Sequence, residues 1–199
     1  MSSRSLPTSV IQPSRRRLPF LLVVVGAVIS AGLAGVALLL VQGAFAAVAA
    51  PFSPSATDGL IAEGMVVTID DDDVPAVARL NRSLRDALRQ AERDAAADGI
   101  SLYVTSGWRS TGYQRWLFED AVELYASEEV ARQYVATPER SSHVTGDAVD
   151  VGPIDAQFWL MEHGPAYGIC QTYANERWHY ELATAPGGTC PEMKLDAAS

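Results

Sequence analysis

Cysteine and histidine are both scarce in this 199-residue sequence, and no internal repeat is apparent. At this length none is needed to bury a core, and there is no room for a second catalytic domain. The only cysteines are Cys170 and Cys190, without any Cys-x-x-Cys spacing, so the usual thiolate framework of a structural zinc site is missing. Acidic residues are absent from positions 1–50, which hold Arg4, Arg15, Arg16 and Arg17. Beyond them stand 11 basic residues against all 24 acidic ones, a net −13. Such a surface argues against nucleic acid and other polyanions as partners.

Charge is also absent from Leu18 to Val41, a run of 24 residues. As a helix it would rise about 36 Å, enough for a hydrocarbon layer of roughly 30 Å. Arg15–Arg17 stand just before it and keep the N-terminus inside by the positive-inside tendency. The expected order is a cytoplasmic tail at 1–17, a single transmembrane helix at 18–41, a linker at 42–59 and an extracytoplasmic domain at 60–199. The competing reading is a cleaved signal peptide, since Ala44-Phe45-Ala46 and Ala47-Val48-Ala49 offer cleavage sites. The apolar run exceeds the roughly 7–15 residues of a signal core, which favours the anchor. Either way the domain is exported, where disulfides persist, and a Cys170–Cys190 bond is expected in preference to a pair of thiolate metal ligands.

Pro51 to about Asp58 is rich in Pro, Ser, Ala and Thr and reads as a tether. Met65–Ile69 suggests a first strand, and Asp70–Asp73 a cap for the following helix rather than a calcium site. Val77, Leu80, Leu84, Leu88, Ala91 and Ala95 recur at three and four residues, predicting one amphipathic helix over 75–97 stopped by Gly99. Strands are expected at Ile100–Thr105, Asp147–Val151 and as a pair within 168–182, with helices at 111–135 and 155–166. In the 111–135 helix, Trp116, Leu117, Ala121, Leu124 and Tyr125 form a stripe expected to be core. Without a regular βαβ alternation the fold class is α+β, helices on a small mainly antiparallel sheet.

Two of the three histidines sit in polar-rich segments. In Ser141-Ser142-His143-Val144-Thr145-Gly146-Asp147-Ala148-Val149-Asp150, an extended chain puts Gly146, Ala148 and Asp150 on one face, so Asp150 can look into open space. In Glu176-Arg177-Trp178-His179-Tyr180-Glu181, Glu176 and His179 are three apart. A single histidine beside a strand is ordinarily a hydrogen-bonded structural residue. An imidazole from each segment with one carboxylate is instead a three-ligand set for a catalytic zinc, His143, Asp150 and His179, with a fourth position left for water. Glu176 would be the free base beside that water.

Ser141-x-His143-x-x-Gly146-x-Ala148-x-Asp150 followed by Glu176-x-Trp178-His179 resembles the zinc signature of the VanY-type D-alanyl-D-alanine carboxypeptidases, relatives of the lysostaphin-type endopeptidases and the hedgehog domain. Ser106-Gly107-Trp108-Arg109-Ser110 with Gln114 is similar to that family's Ser-Gly-Tyr-Arg-Ser segment and its glutamine, with Trp108 in place of tyrosine. Arg177 stands where many relatives have proline, and His163, within a segment similar to the family's Trp-Leu helix, stands for asparagine and reads as structural. The resemblance implies a zinc-dependent D,D-carboxypeptidase that removes the terminal D-alanine of peptidoglycan stem peptides, and the expected anchor places it at the bacterial cytoplasmic membrane. It implies substrate contacts at Arg109, Gln114 and Ser141, and no obligate protein partner is inferred. The alternatives are an L,D-carboxypeptidase or D,D-dipeptidase on the same scaffold, or a non-catalytic zinc-containing peptidoglycan-binding domain.

Overall fold

The computed structural model describes residues 51–199; the expected tail, the anchor and residues 42–50 of the linker lie outside the described residues. Among the described residues, no helix is long and apolar enough to cross a membrane. The end of the expected tether is docked on the domain. Ala56–Asp58 form a 3₁₀ turn, and Asp58 accepts from the Ser110 backbone at 2.8 Å and from Ser110 Oγ at 2.9 Å.

The expected helix over 75–97 is two helices, α1 (Pro75–Ala78) and α2 (Arg82–Ala97). The interruption has a cause in tertiary structure: the Asn81 N–H donates to Gly146 O at 2.7 Å rather than continuing the helical ladder. Its side chain then accepts from Ser83 N and caps α2, a contribution of about 1 kcal/mol. The apolar face of α2 is as its periodicity predicts, with Leu84, Leu88, Ala91 and Ala95 buried. The acids before α1 do not cap it, since its N-cap is Val74. Asp70 and Asp72 instead pair with Arg89, and Asp72 also with Arg85.

Met65–Ile69 is not a strand. Val67 and Ile69 are buried, but only Val104 N donates across, to Val67 O at 2.7 Å. The Asp71 carboxylate takes up Thr68 N and Oγ and turns the chain before a ladder can form. The helix expected over 111–135 divides into α3 (Thr111–Tyr125) and α4 (Glu128–Tyr134), because Ala126 adopts φ 50° and Ser127 caps α4. The stripe on α3 is not core. Ala121 is buried, but Leu124 is 73% exposed and Trp116 and Tyr125 also reach solvent, since α3 packs on α4 rather than on the sheet.

Four strands, β1 (Tyr103–Ser106), β2 (Ala148–Gly152), β3 (Ile169–Gln171) and β4 (His179–Leu182), form one antiparallel sheet in the order β1-β2-β4-β3. Between β1 and β2 the four-residue helix α5 (Ser142–Thr145) follows Ser141, and α6 (Ile154–His163) follows β2. The core joins α2 and α6 to one face of the sheet through Leu84, Leu88, Val149, Val151, Leu160 and Tyr180. Truncating a leucine such as Leu88 to alanine would cost about 2–5 kcal/mol. The class is α+β as expected, and Cys170 is disulfide-bonded to Cys190.

The register positions the site. Asp150 on the central strand β2 stands opposite His179 on β4 and opposite Ser106 on β1. Facing residues on neighbouring strands have Cβ atoms about 4.5–5.5 Å apart, so Asp150 and His179 are brought within reach by pairing alone.

Candidate active site

His143 is carried by α5, which ends at Gly146 with φ 80°. A Cβ at Gly146 would lie 2.4 Å from Arg79 O, so close approach and positive φ both require glycine. Gly146 is therefore outside the strand, and only Ala148 and Asp150 of the expected small-residue face lie in β2. The short helix returns His143 over the end of β2, where it is buried beside Asp150 and His179.

Hydrogen bonds fix both rings. His143 Nδ1 lies 2.8 Å from Gly107 O; a carbonyl only accepts, so Nδ1 carries the proton and Nε2 presents a lone pair. His179 Nε2 lies 3.0 Å from Glu181 Oε1, which leaves Nδ1 as its free nitrogen. These two nitrogens are 3.1 Å apart, and each is 3.3 Å from Asp150 Oδ1. Oδ1 is buried without a hydrogen-bond partner. Three ligands of a tetrahedral zinc, each about 2.0–2.1 Å from the ion, stand about 3.3 Å from one another. The triangle of two bare nitrogens and one orphaned carboxylate oxygen fits such an ion.

The electrostatics carry the same demand for a cation. Burial alone would raise the Asp150 carboxyl, but His143, His179 and the Arg109 guanidinium outweigh it and hold it well below the usual carboxylate range. Burial and the charge of Arg109 push the His143 imidazole down. Burial would lower His179 as well, yet the adjacent Asp150 carboxylate, the bond to Glu181 and the nearby charge of Glu176 raise it to about 9. A divalent cation bound among these groups would satisfy the same ring of acceptors. Two imidazoles, each held by an outer acceptor, are a usual zinc arrangement.

Glu176 stands just outside the triangle, its Oε2 3.7 Å from His179 Nδ1. The turn Tyr173–His179 puts it there, with Glu176 N donating to Tyr173 O and His179 N donating to Glu176 O. Burial, reinforced by the charges of Asp150 and Glu181 and opposed by His179 and Arg109, raises its carboxyl above the ordinary range.

All seven residues expected at the site line one cleft: Arg109, Gln114, Ser141, His143, Asp150, Glu176 and His179. Their roles in the structure differ. Arg109 donates to Ser106 Oγ at 2.9 Å, to Gln114 Oε1 at 3.0 Å and to Asp150 Oδ2 at 2.9 Å. Gln114 is 1% exposed and its amide nitrogen donates to Ala136 O, so it steadies Arg109 from behind. Ser141 is buried on the cleft wall, and its hydroxyl makes no capping bond to α5. Trp108 packs under Arg79, whose guanidinium carbon is 4.3 Å from the ring centre. Arg177 lies over Phe158 and leaves Glu176 and His179 in the cleft. His163 stacks on Trp159 and bonds Trp159 O, a structural role as expected. Sequence reasoning missed Glu181, although its place two residues after His179 on a strand puts it on the same face. It also missed the roles of Ser106, which holds Arg109, and of the Gly107 carbonyl, which orients His143, although both residues belong to the quoted Ser-Gly-Trp-Arg-Ser segment.

A small antiparallel sheet that gathers two oriented imidazoles, a carboxylate and an adjacent free glutamate has the layout of a metallopeptidase. The chain belongs to the VanY D-alanyl-D-alanine carboxypeptidase family, whose model matches residues 77–185, more than half of its length. A D-alanyl-D-alanine carboxypeptidase of Enterococcus faecalis is 29% identical over 120 residues, covering 48% of this chain and 45% of that protein. The chain spans less than half the length of the curated relatives it matches. Among solved structures, the LD-carboxypeptidase LdcB superposes with a TM-score of 0.51 at 23% identity, covering 69% of this chain and 71% of that one. The D,D-dipeptidase VanXYg, solved with a D-Ala-D-Ala phosphinate analogue, gives 0.51 at 24%, covering 65% and 61%. Both likenesses establish the fold.

Proposed function

We propose that this chain is a zinc-dependent D,D-carboxypeptidase that releases the terminal D-alanine of peptidoglycan stem peptides. The observation that carries the reading is the triangle of His143 Nε2, His179 Nδ1 and Asp150 Oδ1, at 3.1–3.3 Å, with Glu176 beside it in a cleft that Arg109 and Ser141 also line. Bound there, zinc would supply the Lewis acidity that makes a water nucleophilic near neutral pH and polarises a peptide carbonyl. Glu176, with its raised carboxyl, is suited to take a proton from the attacking water and return it to the leaving amine. Arg109 uses three N–H groups on the protein, and the two that remain suit a terminal carboxylate. Ser141 would orient the same end of the peptide.

The domain would work outside the cytoplasmic membrane, anchored through residues 18–41. The charge-free run after Arg15–Arg17 supports this reading, as does the Cys170–Cys190 disulfide, a bond of oxidising compartments. Incubation of the zinc-loaded chain with a pentapeptide stem tests the activity. Release of a single D-alanine is expected; removal of a dipeptide, cleavage only after the terminal D-alanine has gone, or no cleavage would each replace the reading.

A further inference from the structure

Residues 191–199 return to the cleft. Cys190 is bonded to Cys170 of β3, and beyond it Lys194 N donates to Thr172 O at 2.9 Å while Ala174 N donates to Lys194 O at 2.8 Å. Tyr173 and Lys194 thereby form a parallel bridge. A second anchor lies four residues further on. Arg140, immediately before Ser141, donates from Nη1 to Ala198 O at 3.0 Å and from Nη2 to Ser199 O at 2.6 Å. Asp196 Oδ1 accepts from Ala198 N at 2.9 Å and shapes the turn between the anchors. Ala197, inside that turn, is only 5% exposed although nearby Leu195 is 78% exposed, so its burial is local. It lines the cleft together with Ser141, His143, Tyr173 and Glu176.

We propose that residues 191–199 are a wall of the substrate cleft that closes it beyond the peptide's last residue, with Ala197 as the specificity-determining contact. The inference rests on the reading above, in which Ser141 and Arg109 receive that last residue. The clamp is on Arg140, next in sequence to Ser141, so the segment lies at the end of the cleft where the terminal group would sit. It is a wall rather than a plug: the metal triangle, Glu176 and Arg109 still line an open space of about 190 Å³. A methyl group at this place leaves room for a small terminal side chain. A chain continuing past the terminal residue would have to displace the segment and break both the Arg140 bonds and the pairing with Tyr173.

Binding, separated from hydrolysis, tests this. The full chain carrying Glu176→Gln, zinc-loaded, is titrated calorimetrically with a peptide ending in D-Ala-D-Ala and with the same peptide extended by one glycine. The full chain should prefer the free end by about tenfold or more, a difference of about 1.4 kcal/mol. Ending the chain after Met193, which keeps the disulfide, should shrink that preference to about threefold or less, mainly through tighter binding of the extended peptide. Arg140→Ala, which frees the segment without removing it, should move the preference the same way by a smaller amount, and serves if the shortened chain does not fold. An unchanged preference in both variants overturns the wall, and so does an equal gain for both peptides on shortening, the result a plug would give. Hydrolysis of the same peptides by the chain with Glu176 intact is read separately. Absence of D-alanine release would defeat the proposed activity while the binding preference still decides the role of the segment.

Discussion

Glu181 accepts the Nε2–H of His179 at 3.0 Å, and this bond decides which nitrogen of the ring faces the cleft. Burial would raise the Glu181 carboxyl, but the bond to His179 and the charge of that ring lower it, so it remains an ionised acceptor. Without it the imidazole loses its fixed tautomer and part of its basicity. Glu181→Ala is expected to weaken zinc binding about 10–100-fold. Glu181→Gln, which retains an acceptor oxygen, should lose less. Competition with a chromogenic chelator measures both, and equal affinities in all three proteins would deny Glu181 its positioning role.

Glu176 lies outside the ligand triangle, so Glu176→Gln should keep about one equivalent of zinc while lowering kcat roughly a hundredfold or more. Burial first, and the charges of Asp150 and Glu181 with it, raise this carboxyl, so its basic form fills only above the ordinary carboxylate range. The acidic limb of kcat/KM should fall there, and the residual activity of the glutamine variant should lack it. Persistence of the limb in the variant would assign it to another group.

A second raised carboxyl affects the fold rather than the site. Glu92 is pushed up by burial and by the like charges of Asp70 and Asp71, against opposing help from Ile69 N–H and Arg89. A carboxyl raised on folding binds more protons in the native than in the unfolded state, so stability falls as pH rises from the unfolded value through the folded one. Glu92→Gln keeps an acceptor for Ile69 and removes the ionisation. It should melt higher than the parent at pH 7 and equally with it at a pH low enough to protonate Glu92 in both states. A lower melting temperature at pH 7 would show that the charge is stabilising.

The parts of this molecule legible in its sequence are those that depend on local pattern or on dense polar motifs. Leu84, Leu88, Ala91 and Ala95 mark the buried face of α2 because helical periodicity is a local property. His143, Asp150, Glu176 and His179 stand out because so many polar residues crowd two short segments of a chain with three histidines. What pattern could not supply is long-range hydrogen bonding. Asn81 divides the first helix because Gly146, distant in sequence, offers its carbonyl. The capture of Thr68 by Asp71, which ends the expected first strand, is by contrast a local turn that the apolar pattern of Met65–Ile69 masked. The stripe of Trp116, Leu124 and Tyr125 has helical spacing, yet spacing does not say that α3 packs on α4 and leaves those residues toward solvent. Arg109 was legible as a cleft residue but not as a partner of Asp150, a relation that the β1–β2 register creates.

That relation gives Arg109 two separable roles, and one substitution can distinguish them. Its Nη2 holds Asp150 Oδ2, leaving Oδ1 for the triangle, while Nε and Nη1 are spent on Ser106 and Gln114. An ammonium keeps the charge but cannot hold these three acceptors in the geometry of a planar fork. Arg109→Lys is therefore expected to weaken zinc binding by about tenfold, as the Asp150 carboxylate loses its outer partner. At saturating zinc that deficit disappears, and what remains reports on substrate. The parent should cut a free-acid D-Ala-D-Ala peptide about tenfold or more faster than its C-terminal amide, because a cationic donor left facing an uncharged end forfeits a charge-assisted bond. In the lysine variant kcat/KM for the free acid should fall much further than for the amide, so that the two substrates converge. If both fell by the same factor, Arg109 would serve only to hold Asp150, and recognition of the terminal carboxylate would belong to another residue of the cleft.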